Sequence, residues 1–205
     1  MKGDMITQGH LGGYTEGGDP ATYYPALWDW LVTELKIRSV IDIGCGDGHA
    51  MTHFERHPGV EVIGVDGCKQ DHPKILQHDY TKGALQHLPY GASRIIPRLY
   101  GMITRKKRVD LVWSCEFVEH IEEEFVPHFL ATFARAKYVL MSHGLPGQPG
   151  HHHVNCRSPD YWIGALAAIG YKHDETLTQV TRELAAQNTV PWNHYKRSGL
   201  VFVRY

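Results

Sequence analysis

The chain reads as an α/β protein built on a doubly wound, mostly parallel sheet, and three observations predict it. Ser39-Val40-Ile41-Asp42-Ile43 is a near-continuous apolar run that feeds Gly44-Cys45-Gly46-Asp47-Gly48, a loop with glycine at every second position. A strand covered by helices on both faces shows such a run, and a backbone that approaches a ligand closely needs residues without Cβ. A second run, Val60-Glu61-Val62-Ile63-Gly64-Val65-Asp66, ends on an acid. Downstream, short apolar runs alternate with stretches of helical period, the pattern of repeated strand-helix units.

Residues 1 to 20 carry Gly9, Gly12, Gly13, Gly17 and Gly18 without a helical period, so residues 1–24 are set apart from a domain at 25–205. Pro25 suits a first helical position, and Leu27, Leu31 and Leu35 follow at i, i+4, i+8, with Trp28 and Trp30 widening the stripe. After the glycine loop a short helix over 49–56 is expected to stop at Pro58-Gly59, with its free amides aimed at the ligand. A third strand is expected over 74–78, and residues 81–108 as irregular, site-covering structure. The fourth strand, Val109 to Trp113, leads into Ser114-Cys115-Glu116. Ile121, Phe125, Phe129 and Phe133 keep a four-residue spacing that Pro127 restarts or kinks. A fifth strand, Lys137 to Met141, ends at Ser142-His143; Ser158-Pro159-Asp160 then opens a helix that Gly170 closes. A strand near Tyr171, a helix from Glu175 to Ala186 and a strand from Gly199 to Arg204 complete the chain.

With 205 residues the chain suits one domain with a substantial core. Its 21 basic and 22 acidic residues lack the positive excess that tracks a phosphate backbone, so no nucleic-acid partner is expected. The one basic run, 105–108, reads as a solvated loop. No segment has the apolar length of a membrane span and no signal region is evident, which predicts a cytoplasmic protein without membrane contact. Cys45, Cys68, Cys115 and Cys156 form no C-x-x-C pair, so reduced thiols are expected.

In a doubly wound sheet the ends of consecutive strands lie along one edge, which puts Asp66 beside the glycine loop as an acceptor for a ribose diol. Gly44, Gly46 and Gly48 read G-x-G-x-G, and His49 stands where the dinucleotide fingerprint needs its third glycine or alanine. The residues Ile41 to Gly48, Gly64-Val65-Asp66, His78-Asp79 and Asp110 to Ile121 resemble the class I S-adenosylmethionine-dependent methyltransferases. The likeness is to the branch with Glu-x-x-Glu-His after strand four, here Glu116, Glu119 and His120. The resemblance covers about residues 39–142 and implies a seven-stranded, Rossmann-like single domain with S-adenosyl-L-methionine as cofactor. It further implies Asp79 against the adenine amine, His120 packed beneath the cofactor and Glu116 at the methyl-transfer pocket, the alternative for Glu116 being a helix-start acid; the N-terminal segment is read as either a frayed tail or a lid, to which Tyr14, Tyr23 and Tyr24 would contribute.

The expected cofactor residues are thus Asp42, Gly44, Cys45, Gly46, Gly48, Asp66, Gly67, Asp79, Tyr80, Ser114, Cys115 and His120, with Asp42 facing the ammonium group. Methyl transfer from a sulfonium needs positioning and removal of a proton from the acceptor, and no metal is expected. Histidine suits base work near neutral pH. His143, at the end of strand five, is read as either base or loop anchor, with Glu116 as a second catalytic candidate. His151-His152-His153 invites a metal reading, but adjacent side chains in a loop diverge; pocket lining is preferred. His49 and His53 are spaced i, i+4 without the glutamate of H-E-x-x-H and are read as an exposed helix face. The expected function is methyl transfer to a small polar acceptor, a sugar or metabolite hydroxyl. The competing readings are a NAD-dependent oxidoreductase and a non-catalytic methyltransferase-like binding subunit.

Overall fold

The computed structural model describes residues 9–11, 17–68, 70–86 and 108–205. Strand β1 (Ser39–Ile43) is buried along its whole length, as a central strand covered on both faces must be. It runs parallel to β2 (Glu61–Asp66) on one side and to β4 (Val109–Ser114) on the other. Two further parallel strands, β3 (Ile75–Gln77) and β5 (Ala136–Met141), extend the sheet past β2 and β4. The last strand, β7 (Leu200–Arg204), is inserted antiparallel between β5 and β6 (Tyr171–His173). The resulting order is β3-β2-β1-β4-β5-β7-β6. Between β1 and β4 the winding direction reverses, and ligands of open α/β sheets bind beyond the carboxyl ends of the strands at such a point.

Side chains alternate across the sheet with the strand period of two. Val40, Val62, Leu111 and Trp113 face the layer of α1 (Pro25–Thr33), α2 (His49–Phe54), α5 (Glu175–Ala185) and α6 (His194–Ser198). Ile41, Ile43, Ile63 and Val65 face the opposite layer, α3 (Val126–Phe133) and α4 (Pro159–Ala168). Helix starts follow from side-chain caps: Ser158, Asp174 and Asn193 each accept a hydrogen bond from an amide in the first turn of α4, α5 and α6.

Of the two outcomes expected at Pro127 the structure shows the restart: α3 begins at Val126 with Pro127 in its first turn, and the stretch before it, which carries Phe125, forms separate 3₁₀ turns at 118–120 and 123–125. Proline fits there because the first-turn amides have no intrahelical acceptor. One local expectation is corrected. The face carrying His53 is not exposed, since α2 packs on α1. His53 is 6% exposed, and its Nε2 lies 2.7 Å from Asp29 Oδ1, which His57 Nε2 also reaches at 2.9 Å. Residues 87–107, which hold most of the expected irregular segment and three residues of the basic run, lie outside the described residues, as does Tyr14.

Phe133, fully buried in the α3/α4 layer, is a test of this packing. Replacing it with alanine removes a large core ring and is expected to lower the unfolding free energy by about 3–5 kcal/mol, measured by urea denaturation.

Candidate functional site

Beyond the carboxyl ends of the parallel strands lies a cavity of about 810 Å³, within the size range of small-molecule sites. Its floor is the loop after β1. Gly44, Gly46 and Gly48 all take positive φ, at 74°, 50° and 79°. That left-handed region is inexpensive only for glycine. A Cβ on Gly44 would stand 2.8 Å from Phe117 Cβ, whereas one on Gly46 would meet nothing within 4 Å, so Gly46 presents bare backbone to the cavity.

Asp66, at the end of β2, fastens this loop. Its Oδ2 accepts the Gly46 amide at 2.8 Å and its Oδ1 the Cys68 amide at 2.8 Å. Each carboxylate oxygen retains a second acceptor position. Burial raises the Asp66 pKa against the pull of those two amides. Asp42, 3% exposed, lines the same cavity; burial, with the charge of Asp66 behind it, pushes its pKa up to about 8. The cavity therefore holds a buried carboxyl whose ionisation a cationic ligand would favour, next to an unobstructed glycine backbone. These features fit a ligand with an ammonium group and a ribose.

At the neighbouring edge, burial tends to raise Asp79, but hydrogen bonds from Thr81 and His10 outweigh it and hold its carboxyl well below the usual range. Tyr80 is buried beside it with its hydroxyl 3.1 Å from Thr132 Oγ1. The described parts of the N-terminal segment close over this side: His10, Leu11, Gly18, Asp19 and Thr22 all line the cavity.

Opposite the glycine loop, the segment after β4 turns sharply at Glu116, a non-glycine residue with φ of 54°, whose amide donates to Ser142 Oγ. Its Oε1 lies 2.9 Å from His194 Nδ1, and His194 Nε2 lies 3.2 Å from Asp19 Oδ2. Burial alone would raise Glu116 and lower His194; their mutual contact reverses both shifts and favours the ion pair. Glu119, fully buried beneath, is driven far upward by burial and by the charge of Glu116. Burial and His153 lower His120 to about 4.

Asp42, Gly44, Cys45, Gly46, Asp66, Gly67, Asp79, Tyr80, Cys115, Glu116 and His120 are thus brought together around one cavity. Three expected residues are not among its lining. Gly48 caps α2 from behind the loop, and Ser114 donates to the Ile43 carbonyl at 3.1 Å, tying β4 to β1. His143 is 1% exposed, with its amide on Ser198 Oγ and its Nδ1 3.2 Å from the Gly144 carbonyl, the bonds of a loop anchor. Sequence reasoning missed His194 and Asp19. The Asn193 cap was a readable helix-start signal, but no spacing rule brings residue 194 to residue 116.

Residues 21–144, more than half of the chain, match the family described as methyltransferase domain. A stretch of 91 residues, 44% of the chain, is 30% identical to the chloroplastic tocopherol O-methyltransferase of Arabidopsis thaliana; the chain spans about a quarter of that relative's length (25%). Among solved structures, 1,6-didemethyltoxoflavin-N1-methyltransferase of Burkholderia thailandensis, crystallised with S-adenosylhomocysteine, superposes with a TM-score of 0.57. The match has 12% identity over 99% of this chain and 86% of that one. The cyclase SpnF superposes at 0.52, with 12% identity over 94% and 87%. By its family match and its sheet order, the chain belongs to the methyltransferase domain family, the class I fold whose cofactor is S-adenosyl-L-methionine.

Proposed function

We propose that this protein uses S-adenosyl-L-methionine to methylate a small polar acceptor, a sugar or metabolite hydroxyl. The observation that carries the reading is the pairing of two carboxyls, buried Asp42 and half-buried Asp66, with a bare glycine backbone at the sheet's switch point. Asp66 receives the ribose hydroxyls on its remaining lone pairs, and Asp42 receives the ammonium group. Gly44, Cys45 and Gly46 let the backbone approach, while Gly67, Asp79 and Tyr80 flank the nucleoside end. Cys115 and His120 line the side towards the acceptor. Residues 1–24 act as a lid, which the contacts of Gly17, Asp19 and His10 with the domain support.

When bound, the cofactor supplies a sulfonium methyl, electrophilic enough that the protein's tasks are alignment and proton removal. Glu116, ionised through its contact with His194, is placed to take the acceptor's proton. His143 is not offered that role, because its geometry is that of an anchor. The O-methyltransferase named above supports an oxygen acceptor. Since a cyclase shares the fold, the fold by itself does not fix the reaction.

Incubating the protein with metabolite extracts and isotopically labelled S-adenosylmethionine, then identifying methylated products by mass spectrometry, tests the reading. Saturable NADH binding without S-adenosylhomocysteine binding would point instead to an oxidoreductase, and binding without any product to a non-catalytic subunit. Asp66→Ala is expected to weaken S-adenosylhomocysteine binding by about 1–3 kcal/mol, measured calorimetrically; unchanged affinity contradicts the proposed pocket. Asp42 binds its cationic partner in the ionised form, so affinity is expected to rise with pH up to about 8 and level off above it. Asp42→Asn should flatten that profile. Without ligand, the raised Asp42 pKa makes the opposite contribution to folding. Its stabilisation is present below the ordinary value of 3.8 and lost as pH rises through about 8, a slope that the same variant should remove in urea titrations.

A further inference from the structure

We propose that Asp29, His53 and His57 form a divalent-cation site that staples α1 to α2 at the protein surface. Two imidazoles converge on one carboxylate oxygen: His53 Nε2 lies 2.7 Å and His57 Nε2 2.9 Å from Asp29 Oδ1. The three ligand atoms all lie within 4.8 Å of one another. Asp29 stands on α1, His53 on α2 and His57 three residues past its end, so only the packing of the two helices brings them together. The four-residue spacing of His53 and His57 puts both imidazoles on one side of the chain as it leaves α2. The His57 backbone is pinned on both sides, its amide on the Phe54 carbonyl and its carbonyl on the Val60 amide, each at 3.1 Å. None of the three residues lines the cofactor cavity, and the proposal is independent of the methyl-transfer reading.

A second observation is independent of that spacing. Buried His53 has its Nδ1 enclosed without a hydrogen-bond partner. The rings packed on it are Trp28, with centroids 5.3 Å apart, and Tyr23, edge-on at 6.3 Å. An aromatic face attracts an N–H and repels a lone pair. As a neutral imidazole donating from Nε2 to Asp29, His53 would leave a bare lone pair at Nδ1 in that setting. A cation on Nε2 moves the proton to Nδ1, which ring faces accept. Asp29 supplies the anion: burial tends to raise its pKa, but the two histidines outweigh it and hold the carboxyl below its usual range. Two imidazoles with one carboxylate suit zinc, or cobalt as its probe, better than magnesium or calcium. A tetrahedral zinc with bonds of about 2.0–2.2 Å parts its ligand atoms to about 3.3 Å. That is a small outward step, open to Asp29 at 52% exposure and His57 at 25%. The fourth position faces solvent and takes water.

Glu116, His120 and His153, on the cavity wall, are the other group of ligand type among the described residues, so the test is run with that group silenced by His153→Ala. The full chain, stripped with a chelator, is titrated with Co²⁺, read by visible absorption, and with Zn²⁺, read by calorimetry. One equivalent should bind, with the absorption of tetrahedral cobalt. Asp29→Asn, which keeps the shape of the side chain, and His57→Ala, at a half-buried position, should each weaken binding by roughly 10- to 100-fold or more, with the circular dichroism spectrum unchanged. Zn²⁺ should raise the unfolding midpoint by several degrees before these substitutions and not after them. No binding at millimolar metal, the result if a protonated His53 merely pairs with Asp29, overturns the site, as does a midpoint that zinc leaves in place. Undiminished affinity in either variant also overturns it, being the mark of adventitious binding by other surface histidines.

Discussion

One carboxylate governs the geometry of the cavity. Asp66 accepts the amides of Gly46 and Cys68, so the loops that leave β1 and β2 are held to a single half-buried carboxylate. Because both bonds are made to backbone amides, the glycine loop keeps its left-handed turns whatever side chains stand at positions 45 and 47. The same anion is one cause of the high pKa of Asp42. Loop shape and charge on the cavity floor are therefore two effects of one residue.

The parts of this arrangement that were legible in the sequence are local. β1 and the glycine loop are contiguous, the acid at the end of β2 has a fixed place on the sheet edge, and the cap residues Ser158 and Asp174 mark their helices by type. Parallel order needs no long-range information once each strand is followed by a crossover. What was not legible depends on contacts between distant segments. His53 reads as exposed from its spacing on α2, and only the packing of α1 against that helix buries it. His143 reads as either base or loop anchor from its position after β5, and the distant Ser198 hydroxyl, with Gly144, gives it the bonds of an anchor.

Glu116 shows a local conflict settled in favour of the site. Positive φ is costly for a residue with a Cβ. Here the Ser142 hydroxyl fixes its amide and His194 its carboxylate, so the strain is opposed at both ends of the residue. The turn aims an ionised carboxylate into the cavity while Glu119, one turn on, stays buried beside it. The pKa values of two neighbouring acids are thus driven in opposite directions by depth and partner.

The chain Asp19–His194–Glu116 joins an early, a middle and a late stretch of the polypeptide. During synthesis the glycine loop and its anchoring acid, 20 residues apart, emerge close together, but Glu116 waits until residue 194 has been made before its imidazole partner arrives. The nucleoside half of the cavity is local in the sequence; the acceptor half is assembled from distant stretches.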